Sequence, residues 1–102
     1  MDAIMLRTND NVATALRDLA ENEEVVVGIQ ERCPRIRLHQ PIAFGHKFAV
    51  TDIRLGENVL KYGEIIGRAT QAIPTGFHAH IHNIESLRGR GDLAARESGG
   101  GV

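Results

Sequence analysis

A nine-residue pattern returns in this chain at a constant offset of 34 positions. Arg17-Asp18-Leu19-Ala20-Glu21-Asn22-Glu23-Glu24-Val25 aligns with Thr51-Asp52-Ile53-Arg54-Leu55-Gly56-Glu57-Asn58-Val59. Asp18 meets Asp52, Leu19 meets Ile53, Glu23 meets Glu57 and Val25 meets Val59. Asn22 meets Gly56, the two residue types that most readily take a left-handed backbone. The shared plan reads as strand, Asp-led turn, left-handed residue, strand. A plan used twice implies two similar halves related by a pseudo-two-fold. The repeat also bears on an ambiguous stretch. Val12, Ala15, Leu16 and Leu19 fit a helical face behind Asn11 as N-cap. The second copy, however, follows Phe48-Ala49-Val50-Thr51, which is β-like, so the strand reading extends back to Val12–Leu16.

The rest of the chain consists of short apolar runs closed by turn formers. Ala3–Leu6 is followed by Thr8-Asn9-Asp10-Asn11, and Val25–Ile29 is rich in β-branched residues. Arg35-Ile36-Arg37-Leu38 alternates, placing two arginines on one face. Pro41 marks an edge or a connection. The runs around Phe48, Val59 and Ile66 each end near a glycine, and Lys61-Tyr62-Gly63 reads as a hairpin end with Tyr62 as a core or interface aromatic. This spacing predicts an all-β domain with much irregular backbone. At 102 residues the chain is one small domain. It buries only roughly 60–65% of its unfolded surface, which favours a partner chain or a homo-oligomer. After Leu87 the sequence becomes polar and Gly-rich. The division is therefore residues 1–87 as the domain and 88–102 as a mobile tail, with a helical turn at Leu93–Arg96. The Arg90-Gly91-Asp92 tripeptide within it is short enough to recur by chance.

Net charge is −1 with interspersed signs, which speaks against nucleic acid or an anionic membrane as partner. One cysteine, Cys33, rules out an internal disulfide and a Cys-x-x-Cys metal motif, and a free thiol fits a reducing, cytoplasmic compartment. The first residues are not a signal peptide. No apolar run approaches the ~20 residues of a membrane span. Phosphate-loop, dinucleotide-binding and Ser/His/Asp patterns are missing.

Chemistry concentrates in Gly76-Phe77-His78-Ala79-His80-Ile81-His82-Asn83, which holds three of the five histidines. As a strand, it would point Phe77, Ala79 and Ile81 into a core and His78, His80 and His82 the other way. Imidazole binds metal and moves protons near neutral pH. Residues two apart on a strand lie roughly 6.5–7 Å apart, whereas metal–nitrogen bonds are about 2.0–2.1 Å. Two neighbours such as His78 and His80 can share an ion. Three cannot easily do so, and an outside ligand is then needed. Asn83 reads either as a turn former or as a substrate-orienting amide. His46-Lys47 follows Gly45, where backbone can approach a ligand, and Lys47 and Arg68 are candidate partners for an anion.

Several stretches together resemble one family. Gly45-His46-Lys47-Phe48-Ala49-Val50-Thr51-Asp52-Ile53, Gly56–Gly63, Ile66-Gly67-Arg68-Ala69 and His78–Asn83 are similar in order and spacing to the SAF domain of altronate dehydratases. The same domain occurs in galactarate dehydratase and in the small subunit of sulfolactate sulfo-lyase. The likeness spans roughly residues 3–87, and Asn22 stands where the family often has Gly. The resemblance implies a small β-clip (SAF, antifreeze-like) fold of two pseudo-symmetric halves. It implies a separate small subunit or N-terminal domain of an altronate dehydratase-like hydro-lyase, which acts with a large catalytic subunit and has little activity alone. The reaction would remove water from a sugar acid to give a 2-keto-3-deoxy acid. It would depend on a divalent metal, iron first and manganese second, shared with the large subunit. His78, His80 and His82 would be catalytic, with His78 and His80 as metal ligands, and Asn83, Lys47 and Arg68 would contact substrate. The rival expectations are a non-catalytic carbohydrate-binding or subunit-assembly module, and a free-standing metal-binding protein.

Overall fold

Turn-forming residues cut the chain into strands of two to six residues. The computed structural model describes residues 1–86. Within them lie β1 (Ala3–Ile4), β2 (Val12–Ala15), β3 (Glu24–Gly28), β4 (Arg35–Arg37), β5 (Lys47–Ala49), β6 (Asn58–Lys61), β7 (Glu64–Ala69), β8 (His78–Ala79) and β9 (Ile84–Ser86), with no helix among the described residues. Six strands form a sheet in the order β4-β3-β1-β2-β5-β8, and β6-β7-β9 form a second. Strands β1 and β3 pair in parallel and the other neighbours antiparallel. The domain is thus small and all-β. The proposed tail and the helical turn at Leu93–Arg96 lie outside the described residues.

Alternation along β2 and β5 feeds two cores, one on each face. Ala13, Ala15 and Phe48 join Leu19, Val25, Val27, Leu38 and Ile42. Val12 and Ala49 join Ile53, Val59, Ile73 and Ala79 of β8. Both faces are apolar, which is why these strands lack the hydrophobic-in, polar-out signature of a half-exposed sheet. Full burial of side chains such as Phe48, Leu38 and Ile42 stabilises the fold by about 1.5–3 kcal/mol each.

The 34-residue repeat is structural. Leu19 and Val25 fill the first core, and their counterparts Ile53 and Val59 fill the second. Leu19 and Ile42 exchange backbone bonds of 2.8 and 2.9 Å, as do Ile53 and Ile73. The Ala20 amide donates to Glu23 Oε1 at 2.9 Å, and the Arg54 amide to Glu57 Oε1 at 2.8 Å. Asp18 Oδ1 accepts from the Phe44 amide and Asp52 Oδ1 from the Thr75 amide. Asn22 and Gly56 both take positive φ, 68° and 85°. The strand reading of Val12 also holds over the helix, since β2 is needed between β1 and β5.

Three details differ from expectation. Strand β1 stops at Ile4 rather than Leu6, because Asp10 Oδ2 accepts the Leu6 and Arg7 amides and turns the chain. The same buried carboxylate accepts the Tyr62 and Gly63 amides at 2.9 and 2.7 Å, tying the β6–β7 hairpin to the N-terminal turn. Tyr62 (φ 55°) and Gly63 (φ 82°) form a two-residue turn with both residues left-handed. The Tyr62 ring is therefore exposed, with Lys61 Nζ 5.0 Å from its centroid, and is not a core aromatic. Finally, the histidine strand ends at Ala79, and Ile81 is 85% exposed instead of buried.

Candidate functional site

The pseudo-two-fold puts a left-handed glycine before each of two strands. Gly45 (φ 82°) precedes His46 and β5, and Gly76 (φ 87°) leads into β8. Gly76 also passes so close to β4 that a Cβ there would lie 2.4 Å from the Arg37 carbonyl oxygen. Strands β5 and β8 then pair with Lys47 opposite Ala79 and Phe48 opposite His78. One step further in that register brings His46 opposite His80, and their rings stack at 4.0 Å between centroids. His46 Nδ1 lies 3.0 Å from His78 Nε2, one imidazole donating to the other. Ligand nitrogens of His46, His78 and His80 all lie within 4.8 Å of one another.

Asn83 explains why the strand breaks. Its Oδ1 accepts the His80 amide and its Nδ2 donates to the His78 carbonyl, both at 2.8 Å, and its own amide donates to the His80 carbonyl at 3.1 Å. It is 4% exposed. The amide expected to orient substrate is thus committed to the turn, and its role as a turn former is the one the geometry displays. The turn swings Ile81 and His82 outward, leaving the His82 ring 5.0 Å from that of His78. Gln40 Oε1 accepts the His78 amide at 2.8 Å and holds the other side of the strand.

Of the residues singled out from the sequence, the structure brings together His78, His80 and Lys47, and leaves His82 at the rim. Arg68, on β7, lies opposite Glu85 of β9 and pairs with its carboxylate at 3.9 Å. Lys47 and His80 line a cleft of about 180 Å³ with Ile66, Ile81, Ile84 and Ser86. A larger cleft of about 760 Å³ lies elsewhere, lined by Met5, Val27, Ile29, Ile36 and Val50 among others. It contains none of the histidines. Sequence reasoning left His46 out of the site. Its position after Gly45 was the available signal, but its proximity to His80 depends on strand register.

The charged neighbours that act on this cluster are basic. Burial, then His82, His46, His80 and Lys47, push His78 down to about 4. Burial and then Lys47, His46 and His82 lower His80 as well. Burial and then Lys61 lower Lys47. The imidazoles of His78 and His80 are therefore neutral at pH 7, the form that binds metal or accepts a proton.

The donor set fits a divalent cation. The buried Nδ1 of His80 has no hydrogen-bond partner. Two nitrogens bound cis on one ion at about 2.0–2.1 Å lie about 3–3.4 Å apart, close to the 3.0 Å between His46 and His78. At present those two nitrogens share a proton. Ligation requires the rings to swing about χ2, which is a soft torsion. Three imidazoles without a carboxylate leave positions open for ligands from outside the chain.

With this geometry in view, the relatives are informative. The altronate/galactarate dehydratase SAF domain family matches residues 1–87. The chain is 51% identical over 86 residues to altronate dehydratase from Escherichia coli (strain K12), covering 84% of this chain and 17% of that protein. It is 36% identical over 84 residues to altronate dehydratase from Bacillus subtilis (strain 168), covering 81% of this chain and 16% of that protein. It is 31% identical over 91 residues to (2R)-sulfolactate sulfo-lyase subunit alpha from Chromohalobacter salexigens, covering 86% of this chain and 97% of that subunit. The chain thus spans a small fraction of the dehydratases and nearly all of the lyase subunit.

Proposed function

The chain belongs to the altronate/galactarate dehydratase SAF domain family, and from that premise we propose that it is the SAF component of a sugar-acid dehydratase. It works as a small subunit or domain beside a large catalytic region. The reaction is a hydro-lyase step that removes water from a hydroxy acid and yields a 2-keto-3-deoxy acid. One observation carries this reading: three imidazoles converge beside a half-buried lysine that lines the same cleft as His80.

The chemistry needs three roles. A base takes the proton next to the carboxylate, a cation stabilises the charge that develops, and an acid protonates the departing hydroxide. The enol product then tautomerises to the 2-keto acid. Lys47, half-buried and without an acidic partner among the described residues, pairs with the substrate carboxylate from within the cleft. His78 and His80, held neutral, accept a proton only while they are not ligands; with a metal on them their lone pairs are committed and His82 is the base. His82, exposed beside His78, passes the proton to solvent. Arg68, exposed and only loosely paired with Glu85, is an outer contact for the sugar chain. His46, His78 and His80 are the residues that would hold a divalent metal, which when bound supplies Lewis acidity. An all-imidazole set suits iron better than manganese, which prefers carboxylate and water. The free, exposed Cys33 accords with a cytoplasmic setting.

The test is co-expression with a candidate large dehydratase subunit and assay against aldonates, aldarates and sulfolactate. The reading expects a 2-keto-3-deoxy acid from a sugar acid. Sulfite release from sulfolactate, with no dehydration of any sugar acid, contradicts it. The exposed Ile81 favours a second reading, in which the domain serves only subunit assembly. In that case His78→Ala with His80→Ala would abolish assembly rather than turnover.

A further inference from the structure

Ile81 is the most exposed large hydrophobic residue among those described, at 85%, yet it sits between His80 of the cluster and His82 at its rim. Its exposure is built in. The Asn83 side chain fixes the turn at both ends, so Ile81 cannot fold back into the core without breaking buried hydrogen bonds. Beside it, Ile66 and Ile84 are half-buried and line the same cleft as Lys47 and His80. An apolar tip next to a water-accessible catalytic cleft is costly to solubility unless something covers it.

Building on the function proposed above, we infer that this histidine face is the docking surface for the large catalytic region, with Ile81 as its apolar anchor. Two observations select that occupant. First, donors and charge: three imidazoles gather with no carboxylate in the set, and Lys47 stands in the same cleft as His80, so an acidic covering surface complements this face. Its carboxylates would complete the ligand set that three imidazoles leave open. Second, chain path: Ser86, at the end of β9, lines the same cleft. The family match ends at residue 87, so a fused polypeptide continuing from the domain would leave beside the histidines. The E. coli relative has 83% of its length outside the matched part (100% minus 17%) in which to supply that surface.

The test uses a full-length chimera, in which residues 1–87 of this chain replace the matched segment of the E. coli altronate dehydratase. Two variants are compared with it. Ile81→Asp alters the anchor. Leu6→Asp alters another exposed apolar residue, on the cleft shared with Met1 and Gly28. The inference expects Ile81→Asp to raise proteolytic cleavage between domain and catalytic region about tenfold, and to lower kcat/KM by about as much, a loss equal to about 1.4 kcal/mol. Circular dichroism of the isolated Ile81→Asp domain should be unchanged, and Leu6→Asp should change neither readout. If Ile81→Asp behaves like the parent chimera, the docking inference fails while the proposed function stands. If the parent chimera assembles but does not dehydrate altronate, the proposed function fails. If the isolated chain is a dimer that Ile81→Asp dissociates, a second copy covers the face and the inference is overturned.

Discussion

At residue scale, the site depends on which side chain makes which bond. Asn83 replaces two backbone partners at once, and loss of these buried bonds leaves a donor and an acceptor unpaired. Asn83→Ala should destabilise the domain by about 1–3 kcal/mol, measured by chemical denaturation, and should scatter the histidine nitrogens. His78 provides a pH test. Its value in the fold is about 4 against an ordinary 6.5, so the unfolded chain binds more protons than the folded one between those limits. Stability is full above about 6.5 and falls as pH drops toward about 4. Denaturation midpoints across that range should show a slope that flattens in His78→Ala; an identical slope would refute the shift. The sequence displayed the histidines and Asn83 plainly. It did not display that Asn83 bonds inward, because an amide that caps a turn and one that holds substrate look alike in sequence. His46 was hidden for a different reason: its proximity to His80 comes from strand register across residues far apart in the chain.

At the scale of elements, the pseudo-two-fold was legible and the histidine strand was not. The repeat could be read because its turns are local, with Asp18 and Asp52, Glu23 and Glu57, and Asn22 and Gly56 specifying the same geometry twice. Alternation from Phe77 to Asn83 pointed to a strand, but the pairing of β8 extends only through His78 and Ala79. The two left-handed glycines yield a paired prediction. Gly45→Ala strains only φ, since no atom lies within 4 Å of its added Cβ, and should cost about 1–2 kcal/mol. Gly76→Ala adds a contact with the Arg37 carbonyl oxygen at 2.4 Å, so its cost should exceed that of Gly45→Ala by about 1 kcal/mol or more. Thermal unfolding of the two variants side by side checks the order, and equal losses would contradict it.

At the scale of the molecule, two small cores support a site on one edge of the domain, and the cleft there is shallow. Nothing in the described residues encloses a substrate on all sides, so the isolated chain should turn over sugar acids slowly or not at all. Activity should appear only when the large region covers the histidine face. The family identity was recoverable from the sequence because its motifs lie at the turns and at the site. The surface proposed to cover the histidine face was not, since these residues do not encode it. The central claim is that the imidazoles take part in the chemistry and do not merely hold the domain in place. The most direct measurement is turnover of altronate by the full-length chimera carrying His78→Ala together with His80→Ala, with assembly followed by sedimentation. The account predicts intact assembly and a rate lowered about 100-fold or more; unchanged turnover, or loss of assembly as the sole defect, would contradict it.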